Sequence, residues 1–331
     1  MRPTDRARGA LYGLAIGDAL GMPTQMLSRQ RIVERWGPML TGFEAAPDDH
    51  PIAAGMPAGA VTDDTEQAVL LGRLLVGGNG DVEPGDLATA LLAWELDMAA
   101  RGSLDLLGPS TKRALAAVQN GALPAEAGRY GDTNGAAMRI TPVGIATVGG
   151  NRLALVDRVQ QASFVTHNTS IALAGAAAVA AAVSAGIDGA DVAAATEAAI
   201  AVARLAAQRG HWTAGADVAA RIAWAANLVA AEPPQAAAEV IYTLVGTSLA
   251  TQESVPAVFA VLSAVPGDPW QACLLAASLG GDCDTIAAMA GAIAGACHGL
   301  TAFPRHAIET VDRNGLELAG LADSLLQLRK S

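Results

Sequence analysis

The sequence predicts an all-α fold, and three observations carry that expectation. Apolar residues recur at spacings of three and four, the period of a helix with one buried face. Alternating β-branched and aromatic runs, the mark of strands, are missing, and Phe, Trp and Tyr together make up only 4% of the chain. The apolar content of 52% is carried instead by alanine, 75 of 331 residues, which favours helix and lets helices approach closely. A single compact multi-helix domain over residues 1–331 is expected.

The elements follow in order. A first helix at 8–21 holds Gly13, Gly17 and Gly21 four residues apart, a spacing that suits close packing against a second helix. Residues 30–60 contain Pro38, Pro47, Pro51 and Pro57 and the pair Asp48-Asp49, so no helical period survives and a long loop is expected, placed to cover or line a site. Helices are predicted at 65–77, at 84–101 after Glu83-Pro84-Gly85, and at 110–119, followed by 136–149 and 152–163. The Ala-rich tract then gives 168–186 and 190–208, with polar breaks at Ser184, Asp188, Asp191 and Glu197 that mark packed helices. Further helices span 213–231, 235–249, 254–264, 269–279, 285–298 and a broken 303–328, punctuated by Glu232-Pro233-Pro234 and Pro266-Gly267-Asp268-Pro269.

Charged residues are only 16% of the chain and the mean hydropathy is +0.33, so a membrane protein has to be weighed. The stretch Ser170 to Ile187 is long enough to span a bilayer, but it is mostly Ala and Gly and lacks basic or aromatic anchors, so it reads as a buried helix. Arg2, Arg6 and Arg8 ahead of Ala10–Ile16 imitate a signal peptide until Asp18 interrupts the apolar run, and a cytoplasmic location is expected. Cys273, Cys283 and Cys297 have no paired spacing and are expected to be reduced core thiols. A net charge of −11 and a pI near 4.8 leave no basic footprint for nucleic acid and disfavour an anionic membrane surface.

Two acidic turns carry the chemistry. In Thr62-Asp63-Asp64-Thr65-Glu66, Asp63 and Glu66 have capping-box spacing at a helix start, but capping needs one acid and not two adjacent ones. In Gly280-Gly281-Asp282-Cys283-Asp284-Thr285, two acids two apart can turn toward one point, and the glycines permit a close approach of backbone to ligand. Together the turns supply four carboxylates and two or three hydroxyls. Two divalent cations would neutralise that charge, and an all-oxygen set selects Mg²⁺, Mn²⁺ or Ca²⁺ over Zn²⁺ or Cu²⁺.

With these turns, Gly13-Leu14-Ala15-Ile16-Gly17-Asp18-Ala19-Leu20-Gly21, Asn134-Gly135-Ala136-Ala137-Met138-Arg139 and Thr166-His167 occur in the order found in the ADP-ribosylglycohydrolase family, and Glu253-Ser254-Val255-Pro256-Ala257 also resembles a family segment. The resemblance covers about residues 8–300. It implies an all-helical domain with a binuclear Mg²⁺ or Mn²⁺ centre, whose ligands would be Thr62, Asp63, Asp64, Asp282, Asp284 and Thr285. It also implies that the Asn134-Gly135 turn meets the ribose-phosphate part of the ligand, and that His167 is similar to a family histidine near the distal ribose or adenine. Arg139 is expected as a buried partner for Asp132 or another acid, and Asp18 either orients a ligand or bonds nearby backbone.

One departure stands out. Four residues after the Gly-Asp-Ala-Leu-Gly segment the family places a glutamate, where this chain has Gln25. A glutamine is no base, although it can hold a substrate hydroxyl or a water. The proton would then fall to Asp64, Asp284 or Asp105, the last in a stretch loosely similar to an Asp-containing family loop.

The expected reaction is hydrolysis of an N- or O-glycosidic bond at a ribose anomeric carbon. The carboxylate wall suits the positive charge that develops on the sugar. The resemblance implies an ADP-ribosylated protein as partner, and Gln25 gives comparable weight to a small N-ribosyl or nucleoside-like substrate. A non-catalytic ADP-ribose-binding module is the alternative of another class.

Overall fold

The computed structural model describes residues 1–102 and 107–330, and its helices begin where local chemistry starts them. α1 (Pro3–Gly21) is followed by α2 (Arg29–Trp36), capped by Ser28, and by α3 (Asp63–Gly77), capped by Thr62. α4 (Pro84–Ala100), α5 (Pro109–Gln119) and α6 (Pro124–Ala127) each open on proline, whose missing N–H is no loss in a first turn. Two short helices, α7 (Gly135–Met138) and α8 (Thr141–Ala146), precede α9 (Arg152–Ser163), α10 (Ser170–Ile187) and α11 (Val192–Ala206), which Asn151, Thr169 and Asp191 cap. Asp217 caps α12 (Val218–Val229), and α13 (Pro234–Val240) runs into a π-helical turn at Ile241–Val245. α14 (Thr251–Ala264), α15 (Pro269–Ala277), α16 (Cys283–His298), α17 (Arg305–Asp312) and α18 (Leu318–Gln327) complete the chain. Among the described residues β structure is limited to two isolated bridges, Thr133 with Ala250 and Thr169 with His211.

Three expectations need correcting. The segment 30–60 is not all loop, because Ser28 accepts from the Arg31 N–H and buried Ile32 anchors α2 until Gly37, at φ 85°, ends it. The helix expected at 136–149 is two, since Pro142 has no N–H to continue the ladder across Arg139–Ile140. The helix expected from 213 starts at Val218, where Asp217 supplies the cap. The break expected within 303–328 lies between Asp312 and Leu318.

The axis of the molecule is an antiparallel pair, α1 against α16, packed backbone to backbone. A Cβ at Gly13 would sit 2.0 Å from the Gly291 oxygen, and one at Gly17 would sit 2.0 Å from the Ala287 oxygen. At the end of the stripe, a Cβ at Gly21 would lie 2.3 Å from Asp284 Cα. The glycine spacing therefore brings the C-terminal end of α1 against the N-terminal turn of α16. α10 packs on α16, α11 and α8, and 89% of this membrane-length apolar segment is buried inside the protein. With so few aromatics available, Arg139 stands beside Phe259 among the largest fully buried side chains.

Candidate active site

The first acidic turn opens α3, and a residue outside it satisfies its backbone. Fully buried Asp18 on α1 accepts from the Thr62 N–H (2.9 Å), the Thr62 hydroxyl (2.7 Å), the Thr65 N–H (3.1 Å) and the Thr65 hydroxyl (2.5 Å). Of the two roles expected for Asp18, the bonds to backbone are present, at the start of α3, and the carboxylate also accepts from the Thr62 and Thr65 hydroxyls. The Thr62 proton points to Asp18, so lone pairs of this hydroxyl turn toward Asp64, whose N–H donates to it at 3.4 Å. The capping box is not formed. Glu66 instead accepts from the Trp94 indole at 2.6 Å and pairs with Arg101 at 3.2 Å.

The second turn is set by backbone. Gly280 (φ 89°) and Gly281 (φ 71°) occupy the left-handed region, and the Asp282 N–H donates to the Thr247 carbonyl at 2.7 Å. The close approach that the glycines were expected to give a ligand is used by the chain itself. A Cβ at Gly281 would meet the Thr247 oxygen at 2.4 Å, and one at Gly280 would meet Arg29 N at 2.8 Å. Asp282 makes no side-chain cap on α16, and its carboxylate accepts from Asn134 Nδ2 at 2.5 Å.

The two turns meet. Thr285 Oγ1 donates to Asp64 Oδ2 at 3.2 Å, across 221 residues of sequence. Burial, then the charges of Asp284, Asp63, Asp18 and Asp282, pushes the Asp64 carboxyl well above the usual range. Burial also raises Asp18 and Asp282 to about 6, against the hydrogen bonds each accepts. Asp64 Oδ1 is buried with no hydrogen-bond partner. A buried, unpartnered carboxylate oxygen amid other acids is the donor chemistry a hard cation fits. Among the described residues no three His, Cys, Asp or Glu side chains form a metal-holding group by themselves.

A cleft of about 730 Å³, including its open mouth, faces this cluster, and Asp63, Asp282, Asp284 and Thr285 line one wall. Asp64 lies behind them. Thr133, Asn134 and Gly135 line the same cleft, with Met26, Ile52 and Leu249 among its apolar residues. Ile52 belongs to the predicted covering loop, which His50 pins by donating from Nε2 to the Gln25 carbonyl at 2.9 Å while its Nδ1 accepts from the Ala53 N–H at 2.8 Å. Gln25 lines the cleft, and its buried Nε2 has no hydrogen-bond partner.

Two further sequence candidates are placed differently. His167 is fully buried beneath Gly135 and does not line the cleft; Thr133 Oγ1 lies 3.0 Å from its Nε2 and Thr166 Oγ1 lies 2.8 Å from its Nδ1. Arg139 bonds Thr166 (2.6 Å) and Gln67 (3.4 Å) rather than Asp132, and burial lowers it to about 10, so it stays charged at neutral pH. Asp105 lies outside the described residues. Thr133, Thr111 and Gln67 were not singled out from the sequence. Only the proximity of Thr133 to the Asn134-Gly135 turn could have signalled it.

Comparison with known proteins gives the family. The ADP-ribosylglycohydrolase family profile matches residues 1–331. An uncharacterized protein of Escherichia coli (strain K12), YegU, is 37% identical over 99% of this chain and 98% of its own length. An ADP-ribosylarginine hydrolase, Tri1, of Pseudomonas putida (strain GB-1) is 30% identical over 93% of this chain and 74% of its own. The ADP-ribosyl-[dinitrogen reductase] glycohydrolase of Rhodospirillum rubrum is 30% identical over about half of each chain, 50% and 52%. A solved structure of an ADP-ribosylglycohydrolase-related protein complex superposes with a TM-score of 0.69 at 25% identity, covering 99% of both chains. The chain belongs to the ADP-ribosylglycohydrolase family, a family of hydrolases.

Proposed function

We propose that this protein hydrolyses a ribosyl glycosidic bond, releasing ADP-ribose from a protein or small-molecule acceptor, with two divalent cations, Mg²⁺ or Mn²⁺, as cofactors. The observation that carries the reading is the buried, unpartnered Oδ1 of Asp64 within a cluster of four further acids. Thr62, Asp63, Asp64, Asp282, Asp284 and Thr285 would hold the ions. When bound, the ions would supply Lewis acidity, neutralise the cluster and polarise water and sugar hydroxyls in the cleft.

The chain's own residues supply the rest. Asp18 holds the Thr62 and Thr65 protons away from the acids, and Asn134 fixes the Asp282 carboxylate. Asp284, on the cleft wall, is placed to take the proton of the attacking water, whereas Asp64 sits behind it. The acidic wall favours the positive charge that grows on the ribose as the bond breaks. Gln25, which lines the cleft and whose amide nitrogen has no partner within the protein, would hold substrate without taking a proton.

That same amide favours a second reading, in which the substrate is a small N-ribosyl compound. The test is to incubate the protein and Mg²⁺ or Mn²⁺ with ADP-ribosyl-arginine and with a panel of nucleosides. Release of ADP-ribose, lowered about 100-fold or more in Asp64→Asn, is expected. Cleavage of nucleosides alone moves the assignment to the second reading. Metal-dependent ADP-ribose binding with no cleavage, and activity gained in Gln25→Glu, would make the chain a binding module.

A further inference from the structure

We infer that Thr133 is a specificity-determining residue that offers a hydroxyl proton to an acceptor atom of the substrate, its direction set from behind by a buried chain of hydrogen bonds through Arg139, Thr166 and His167. The substrate's identity rests on the proposed hydrolase reading. The proton's direction rests on the hydrogen-bond geometry around a neutral, buried ring.

The chain starts at Arg139, a group that only donates. Its Nη2 gives a proton to Thr166 Oγ1 at 2.6 Å. Thr166 has one proton of its own and two acceptors in reach, His167 Nδ1 at 2.8 Å and the Ser163 carbonyl at 3.3 Å. The shorter contact takes it. With Nδ1 accepting, a neutral imidazole carries its proton on Nε2 and donates to Thr133 Oγ1 at 3.0 Å. The ring stays neutral because burial, reinforced by Arg139 and Arg113, holds it well below the ordinary histidine range. Thr133 accepts from behind, so its own proton turns into the cleft it lines beside Asn134 and Asp282.

Two neighbours support the arrangement. Gly135 leaves room for the ring, since a Cβ there would lie 2.9 Å from His167 Cε1 and 3.1 Å from Nε2. The other arm of Arg139 donates to Gln67 Oε1 at 3.4 Å, and Gln67 Nε2 donates to Asp63 at 2.9 Å, so the chain links Asp63 to Thr133. The group selected is a hydrogen-bond acceptor, such as an oxygen of a phosphate, carbonyl, ring ether or hydroxyl, over a group that only donates.

The test has two parts. In protein carrying ¹⁵N-labelled histidine, with His167→Gln assigning the signal, nitrogen NMR of the ligand-free chain reads the tautomer; a proton on Nε2, unchanged from pH 6 to 8, is expected. Calorimetry with ADP-ribose should show about 10-fold weaker binding for Thr133→Val and binding within about twofold of the parent for Thr133→Ser. A proton on Nδ1 overturns the inference, as does a correctly folded Thr133→Val that binds like the parent. Failure of the parent protein to bind ADP-ribose would count against the hydrolase reading, while the tautomer, read without ligand, still decides the direction argued here.

Discussion

The two acidic turns face the same cleft but are built by opposite means. At the start of α3, the backbone N–H groups that would ordinarily draw in the turn's own acids go to Asp18, a residue 44 positions upstream. At the start of α16, no capping side chain is present, and Asn134 holds the Asp282 carboxylate from 148 residues away. The first turn is fixed by an acceptor and the second by a donor. In both turns a group from a distant part of the chain takes up hydrogen-bonding capacity that local capping would otherwise use, while Asp63 is held from within α3 by Gln67.

The backbone contact that joins the turns offers the strongest way to break this comparison. Gly17→Val places a side chain into the Ala287 carbonyl, and a loss of about 3 kcal/mol or more is expected in urea unfolding, with both turns disturbed together. Stability near that of the parent protein would show that the α1–α16 contact does not set the site.

Next come the two positioning residues. Asp18→Asn replaces one of two accepting oxygens with an amide donor; three of the four donors share Oδ2 and one meets Oδ1, so at least one is left facing a donor, and a loss of about 1–3 kcal/mol and weaker Mn²⁺ binding are expected. Asn134→Ala removes one donor to Asp282 and one to Ser254, for about 0.5–1.5 kcal/mol. If Asn134→Ala proves the costlier change, the contrast between the turns is drawn the wrong way round.

The smallest effect is a slope with pH. Asp18 and Asp282 stand near 6 in the folded chain, and Asp64 is raised as well, against about 3.9 for an unfolded aspartate. The native state therefore binds more protons. The stability from this source is complete below about pH 4 and is lost as the pH rises through about 6. Melting temperatures in EDTA should fall between pH 5 and 7, and Mn²⁺ should flatten that fall. Equal slopes with and without Mn²⁺ would mean that the acids are not neutralised by a cation.

Much of this was legible in the residues, because helix periodicity and capping act within a few positions. The glycine stripe of α1 announced a close helix contact, and Asp63, Asp64, Asp282 and Asp284 announced a common site. Other features escaped for a physical reason. Glu66 looks like a cap until Trp94 and Arg101 take it, and Gly280-Gly281 looks like a ligand cradle until the backbone of Thr247 and Arg29 fills the space. The 136–149 period hid a break because Pro142 interrupts the ladder without disturbing the apolar pattern.

The sequence by itself determined the helical class, the principal breaks between helices and the carboxylates that could meet, since propensity, capping and charge belong to short stretches of chain. Only the tertiary structure decided which hydrogen bonds those groups make. It matched Asp18 to Thr62 and Thr65, Asn134 to Asp282 and Arg139 to Thr166, because a buried polar group is stabilised by whichever partner packing brings to it, however distant in sequence.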